Sequence, residues 1–136
     1  MTEKQVPSGA EEEVVGICRD LIRIDTTNPG DHSGPGEREA AEYVAGLLSE
    51  VGLEPTIVES HPKRTSLVAR IEGEDSSLPA LLIHGHLDVV PADAADWQVD
   101  PFSGHIGDAS TKSTASTGAT SAGQDDPCVW GRGAST

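Results

Sequence analysis

Aromatic side chains are scarce in this 136-residue sequence, which contains one Phe, one Tyr and two Trp. Hydrophobic residues make up 35% of the chain, so its core must be built mainly from Val, Leu, Ile and Ala. The length is sufficient for one small domain with a single hydrophobic core. The composition therefore predicts a small globular unit with an aliphatic core.

Cysteine is also rare, with only Cys18 and Cys128 present and far apart in the sequence. Two cysteines are too few for a disulfide scaffold, and neither belongs to a CxxC pair that would indicate a thiolate zinc site. No segment approaches the ~20 apolar residues that cross a bilayer, and the polar beginning of the chain has no apolar leader pattern. We therefore expect a cytoplasmic protein that does not bind membranes.

Positive charge is in short supply, because 9 Lys and Arg stand against 23 Asp and Glu, a formal net charge of −14. Such a surface repels nucleic acids and anionic lipids, so neither is expected as a partner. An acidic surface also attracts cations, but acidity is common among soluble proteins. Charge by itself therefore does not indicate a metal site.

Two amphipathic helices are predicted in the first half of the chain. From Glu11 onward apolar residues recur with helical spacing, and acidic residues in the first turn complement the helix dipole. A loop follows over 25–37, because Asn28-Pro29 blocks helix propagation. A second helix is expected to start near Pro35 and to stop at Gly52. The apolar residues expected on the two buried faces are Val14, Ile17, Cys18, Leu21 and Ile22, then Ala40, Val44, Leu47, Leu48 and Val51.

Three strands are predicted after the helices. Residues 55–60 and 65–73 have strand-like composition and are separated by the turn-prone "HPKR". Residues 80–90, "ALLIHGHLDVV", begin as an apolar run typical of a strand that is buried on both faces. This order of elements predicts an α/β fold in which a mixed sheet is flanked by helices.

One segment has a different composition from the rest of the chain. Eight of the twelve residues at 110–121 are Ser or Thr, and none has a large apolar side chain. Because such a segment buries too little surface to offset its ordering entropy, we expect a flexible insert over 109–127. The predicted organisation is a flexible tail at 1–10, a main body at 11–108, the insert, and a short final segment at 128–136.

The main candidate for chemistry is the alternating series His84, His86 and Asp88. In an extended strand these side chains share one face, and open α/β sheets bind ligands at the carboxyl ends of their strands. A neutral imidazole binds zinc, and a nearby carboxylate can fix its tautomer. By spacing alone the series fits either a metal site or a strand end with structural hydrogen bonds. A hydrolytic zinc site also needs three or more protein ligands plus an open position, and two candidates on one strand are not enough.

Longer motifs surround this series. "HGHLDVVPA" is followed by "DWQVDPFSGHI" and "CVWGRGA", and is preceded by "IDTTNPGD" and "GEREAAEYVAGLLSEVGLEP". In this order they resemble the amino-terminal part of the M20 family of zinc-dependent peptidases and amidohydrolases. That family includes aminoacylases, acetylornithine deacetylases, succinyl-diaminopimelate desuccinylases and carnosinase-like dipeptidases. The resemblance implies an incomplete zinc-peptidase catalytic domain.

The resemblance implies a role for two residues. His86 matches the first metal ligand, which binds one zinc of a two-metal centre in which Co²⁺ is a possible substitute. Asp88 matches the carboxylate with a catalytic role, here an orienting and polarising group. His84 falls at a variable position and is expected to pack or to support the site. The remaining matched or nearby residues are interpreted as a packed loop (Trp97, Pro101 and Phe102) and a surface residue (His105).

The resemblance breaks at the end of the sequence. In the family, the motif at 131–134 is followed after one residue by the Asp that bridges both metals, and here that position holds Thr136. A neutral hydroxyl cannot supply the charge that holds two dications together. The glutamates that supply the general base and another ligand, the remaining ligands and the dimerisation domain have no match in these 136 residues. We therefore expect weak zinc binding or none, and no oligomer.

Two functions fit these observations. The first is the amino-terminal part of a two-zinc hydrolase that cleaves amide bonds of N-acyl amino acids or small peptides and is inactive alone. The second is a non-catalytic remnant that binds or regulates a partner, or a truncated product with no function of its own. The sequence does not identify the substrate of the first.

Overall fold

The computed structural model describes residues 9–108 and 127–131. The predicted tail at 1–10 lies almost entirely outside the described residues, and so do the predicted insert, apart from its last residue, and Thr136. The described residues divide into two compact units. One contains the residues up to 25 and from 92 onward, and the other is Thr26–Pro91.

The first unit combines a helix, a short turn and a small sheet. Helix α1 spans Gly9–Arg23, close to the predicted position, and a 3₁₀ turn spans Ala94–Asp96. Strands β3 (His105–Asp108) and β4 (Pro127–Trp130) pair antiparallel, and α1 packs beside β4. The helix is also tied to the loop before β3, because Arg19 Nε donates to the carbonyl of Gly104 at 3.2 Å.

Helix α2 in the second unit spans Arg38–Glu50 and ends as the sequence predicts. Gly52 has a φ of 83°, a left-handed conformation that glycine adopts without steric cost. Its N–H donates to Ser49 O at 3.0 Å, and the N–H of Leu53 donates to Leu48 O at 3.0 Å. These two bonds form the Schellman motif, which satisfies carbonyls at the helix end that have no partner within the helix.

The two strands predicted on either side of the turn are found in the second unit, where they form a hairpin, but the second strand ends at Val68 and not at residue 73. Strand β1 spans Thr56–His61 and strand β2 spans Arg64–Val68, with Pro62 and Lys63 forming the turn between them. The two strands pair antiparallel, and the register shifts between Glu59 and His61. Both strands contact α2, so one face of the hairpin is covered by the helix.

The apolar face of α2 is buried less evenly than its pattern predicts. Ala40 and Ala41 are fully buried, whereas Val44, Leu47 and Leu48 are half-buried. Val51 was expected on this face but is exposed, because it lies beyond the last helical residue, where the backbone no longer follows the helical repeat. The most deeply buried side chains on this face of α2 are therefore the small ones, Ala40 and Ala41.

The predicted single mixed sheet is not found among the described residues, which form two separate two-stranded antiparallel sheets. Residues 80–90 are not a strand, apart from an isolated parallel bridge between Val89 and Thr27. The run from Leu81 to Ile83 is highly exposed, so the expectation of a buried strand is wrong for this structure. Apolar composition favours an extended backbone, but a strand also requires neighbouring strands to accept its hydrogen bonds.

Helices in the described ranges are too short and too polar to cross a membrane. The longer of the two helices has 15 residues, whereas a bilayer span needs about 20 apolar ones.

Candidate active site

The backbone that carries His86 and Asp88 is held by the loop that follows α1. Thr26 donates its hydroxyl to the carbonyl of Leu87 at 2.7 Å. The N–H of Asn28 donates to Val89 O at 2.8 Å, and the N–H of Val89 donates to Thr26 O at 3.2 Å. Residues 87–89 are therefore fixed on one side by hydrogen bonds, although no regular sheet surrounds them.

Of the alternating series, His86 and Asp88 come together, although residues 84–88 do not form a strand. His86 Nδ1 lies 2.6 Å from the backbone oxygen of Asp88 and 3.2 Å from its carboxylate Oδ1. Both atoms are hydrogen-bond acceptors, so we assign the proton of the neutral imidazole to Nδ1. The lone pair then lies on Nε2. Because the His86 side chain is 58% exposed, this nitrogen is accessible to a ligand from solvent.

The other carboxylate oxygen of Asp88 has two donors. Asn28 Nδ2 donates to Oδ2 at 2.7 Å, and Arg64 Nη2 donates to the same oxygen at 3.1 Å. The hydrogen bond from Asn28 is the main cause that lowers the pKa of Asp88, and the nearby Arg64 guanidinium lowers it further. The carboxylate is therefore ionised and oriented at neutral pH.

Arg64 is itself held by a second carboxylate. Glu37 Oε1 lies 3.3 Å from Arg64 Nη2, and Glu37 Oε2 accepts a 3.0 Å hydrogen bond from the N–H of Thr65. Glu37 is 4% exposed and Thr65 is 5% exposed. Because two carboxylates share one guanidinium, the group formed by Glu37, Arg64 and Asp88 keeps a net negative charge beside His86.

A close approach of two loops brings Glu37 into this position. Gly36 has a φ of 90°, and a methyl group added there would lie 2.7 Å from Cβ of Lys63. The N–H of Glu37 donates to the carbonyl of Lys63 at 3.3 Å. A side chain at position 36 would separate α2 from the hairpin turn and move Glu37 away from Arg64.

A cleft of about 570 Å³ opens beside these groups. Glu37, Arg64 and Thr65 contribute to one part of its wall, and Gly85, His86 and Asp88 contribute to another. The cleft is large enough for a small organic molecule. The accessible imidazole of His86 therefore faces a space that a small substrate could enter.

The pKa of Asp88 leads to a prediction about acid stability. Because folding lowers this pKa, the ionised carboxylate stabilises the fold above its unfolded pKa of about 3.9, and this stabilisation is lost as the pH falls through the lower folded pKa. Asp88→Asn is expected to reduce the free energy of unfolding by about 1.5 kcal/mol at pH 7, the scale of a charge-assisted hydrogen bond. Urea unfolding of both chains at pH 7 and at pH 3 measures this effect.

The difference in the free energy of unfolding between the wild-type chain and Asp88→Asn should be smaller at pH 3 than at pH 7. Glu74→Gln, which changes an exposed carboxylate, is the matched control and should change stability by less than about 0.5 kcal/mol. A difference for Asp88→Asn that is the same at both pH values would contradict the assignment of an ionised, hydrogen-bonded carboxylate.

The residues present fit one ligand of a metal site. His86 has its Nδ1–H bonded and its Nε2 accessible, which is the usual arrangement of a histidine that binds zinc. Within residues 9–108 and 127–131, no group of three His, Cys, Asp or Glu side chains comes together to hold a metal ion. The described part of the chain therefore contains one side chain that is suited to bind a metal ion, and no complete site.

The other residues singled out in the sequence do not line the cleft beside His86. His84 is exposed, so it does not have the packing role that was one expectation for it, and His105 is exposed in β3 as expected. Pro101 is fully buried, and Trp97 and Phe102 are half-buried, which agrees with a packed loop. Neither His84 nor His105 forms part of the cleft wall beside His86.

Comparison with known proteins gives relatives at moderate identity, whereas no protein-family model matches the chain. A probable succinyl-diaminopimelate desuccinylase of Staphylococcus epidermidis is 38% identical over 94 residues, which are 68% of this chain and 21% of the relative. Aminoacylase-1 of Dictyostelium discoideum is 31% identical over 93 residues, 68% of this chain and 22% of the relative. Acetylornithine deacetylase of Vibrio atlanticus is 31% identical over 98 residues, 71% of this chain and 24% of the relative.

These relatives are hydrolases that remove acyl groups. The chain itself belongs to the M20 family, as the motifs around His86 indicate. It spans between a fifth and a quarter of the length of these relatives.

Proposed function

We propose that this chain carries part of the active site of a two-zinc hydrolase that cleaves amide bonds of N-acyl amino acids or small peptides. In this proposal His86 binds one zinc ion through Nε2, and Asp88 orients the imidazole. The names of the relatives support the reaction class, because a desuccinylase, an aminoacylase and a deacetylase each remove an acyl group.

The observation that carries the proposal is the geometry at His86 Nδ1. Its hydrogen-bond partner at 2.6 Å is the backbone oxygen of Asp88, and the carboxylate Oδ1 of the same residue lies 3.2 Å away, so the proton is retained at Nδ1 and the lone pair is on Nε2. A bound metal would supply a Lewis acid that activates water and polarises the amide carbonyl. Asp88, which is ionised, would orient the imidazole and stabilise the positive charge on it when a metal is bound.

We further propose that the 136 residues have no hydrolytic activity by themselves. A hydrolytic zinc site uses three or more protein ligands and an open position for water. The described part of the chain supplies one such ligand, and the groups expected to serve as general base and as the other ligands have no counterpart among the motifs identified in the sequence. The chain is then one contribution to a site that other residues complete.

A chimeric enzyme tests this function. The 94-residue segment of the Staphylococcus epidermidis desuccinylase that aligns with this chain is replaced by the matching residues of this chain. We expect the chimera to release succinate from succinyl-diaminopimelate at a rate within about 100-fold of the parent, because changes to the groups that support a metal ligand typically cost 10–100-fold. A continuous assay with added Zn²⁺ or Co²⁺ measures the rate.

Two parallel samples make the assay decisive. The parent enzyme shows that the conditions support hydrolysis, and the 136-residue chain alone is expected to give only the background rate. A folded, soluble chimera whose rate equals background would contradict the proposal, as would hydrolysis of N-acyl amino acids by the 136-residue chain alone.

A further inference from the structure

The carboxylate of Asp88 is held by residues from two distant parts of the chain. Asn28 follows α1 and Arg64 begins β2, and both donate to Oδ2, at 2.7 and 3.1 Å. A carboxylate on a short side chain can rotate about its Cβ–Cγ bond. Two donors on Oδ2 restrict that rotation, so Oδ1 is the oxygen that remains directed towards His86 Nδ1.

A second carboxylate, that of Glu37, also holds the guanidinium of Arg64. The buried carboxylate of Glu37 lies 3.3 Å from the same nitrogen, Nη2, and is itself fixed by the N–H of Thr65. A guanidinium nitrogen carries two hydrogens, so Nη2 can donate to both carboxylates at once. The carboxylate of Glu37 thus holds the guanidinium of Arg64 in position, and that guanidinium helps to orient the carboxylate of Asp88.

We propose that Asn28 and Arg64 are positioning residues which, through Asp88, hold His86 in the Nδ1–H tautomer with Nε2 free to bind a divalent metal. This inference rests on the proposed function for the role of Nε2, and it adds two residues that the motif around His86 does not include. Both act through Asp88, since neither Asn28 nor Arg64 has a hydrogen bond to the imidazole among the described residues. A histidine without such a neighbour has no comparable constraint on which ring nitrogen is protonated.

The test determines which ring nitrogen of His86 is protonated in the metal-free chain. The full 136-residue protein is labelled with ¹⁵N, and long-range proton–nitrogen correlation spectra at pH 8 distinguish the protonated from the unprotonated ring nitrogen of each histidine. The His86 signals are assigned by their loss in His86→Gln. We expect the wild-type chain to show the Nδ1–H form of His86.

Two independent variants then probe the positioning. In Arg64→Gln and in Asn28→Ala, the ratio of the Nδ1–H to the Nε2–H form of His86 should fall by about tenfold, the scale set by the loss of one charge-assisted hydrogen bond. Arg64→Lys should restore part of that ratio because it returns the charge. Arg38→Gln is the matched control, since Arg38 also pairs with two carboxylates, Glu42 and Glu59, at 3.2 and 2.7 Å, and should leave the His86 signals unchanged.

The outcomes separate this inference from the proposed function. If both folded variants keep the wild-type His86 signals, the backbone oxygen of Asp88 fixes the tautomer alone and the inference is wrong. If Arg64→Gln fails to fold, Asn28→Ala decides by the same criterion. A folded but inactive chimera, together with the expected tautomer shifts, would overturn the hydrolase proposal and leave the positioning of His86 established.

Discussion

Replacing His86 with alanine in the chimeric desuccinylase is expected to lower the rate of succinate release by at least about 100-fold. Changes to groups that merely support a metal ligand typically cost 10–100-fold, so loss of the ligand itself should cost at least the upper end of that range. The structure supports this because Nε2 is the accessible nitrogen of an imidazole whose Nδ1 is already bonded to Asp88. Initial rates at saturating substrate, with and without added Zn²⁺, measure the loss.

His84→Ala is the matched control for this measurement. His84 and His86 flank Gly85 in sequence, and both are exposed, but only His86 contacts Asp88 and lines the cleft. The control should change the rate by less than about threefold, as expected for a surface substitution away from the site. Equal losses for the two variants would show that the series His84, His86 and Asp88 has a structural role and not a metal-binding one.

Replacing Glu37 with alanine is expected to lower the free energy of unfolding by about 3 kcal/mol, because it breaks a buried pair and leaves a buried donor without its partner. The N–H of Thr65 would lose its 3.0 Å acceptor, and Arg64 would lose the carboxylate at 3.3 Å. Glu37→Gln keeps an acceptor for Thr65 but not the charge, and should lose roughly half as much. Urea unfolding of the full chain, followed by circular dichroism, measures the free energy of unfolding of the wild-type chain, Glu37→Ala and Glu37→Gln.

Glu42→Ala provides the comparison for Glu37. Both glutamates belong to the region of α2 and both pair with an arginine, but the pair between Glu42 and Arg38 is exposed to solvent on both sides. Exposed ion pairs contribute at most about 1 kcal/mol and often nothing measurable. If Glu37→Ala unfolds at the same urea concentration as Glu42→Ala, then the buried carboxylate does not hold α2 against the hairpin.

Local signals in the sequence were sufficient for the helices and for the hairpin. Periodic apolar residues predicted α1 and α2, and Gly52 marked the end of α2 through its preference for a positive φ. The turn-prone residues before Arg64 separated β1 from β2. In each of these cases the determining interactions lie within a few residues along the chain, so the sequence alone contains them.

The run at 80–90 shows why such local signals can fail. Its apolar composition predicted a buried strand, yet Leu81, Leu82 and Ile83 are exposed and only Val89 forms a bridge. A strand is defined by its pairing partners, and nothing within the run specifies whether a partner is available. For the same reason the described residues form two small antiparallel sheets beside the helices, and not the predicted mixed sheet.

In the candidate site, too, the sequence predicts contacts between neighbouring residues but not those between distant segments. His86 and Asp88 are two residues apart, so the sequence alone brought them together and predicted an imidazole beside an orienting carboxylate. The tertiary structure decided what holds that carboxylate, because Asn28, Glu37 and Arg64 come from three separate segments that no spacing rule connects. Short-range geometry is encoded in neighbouring residues, whereas the charges that surround a site depend on how distant segments pack together.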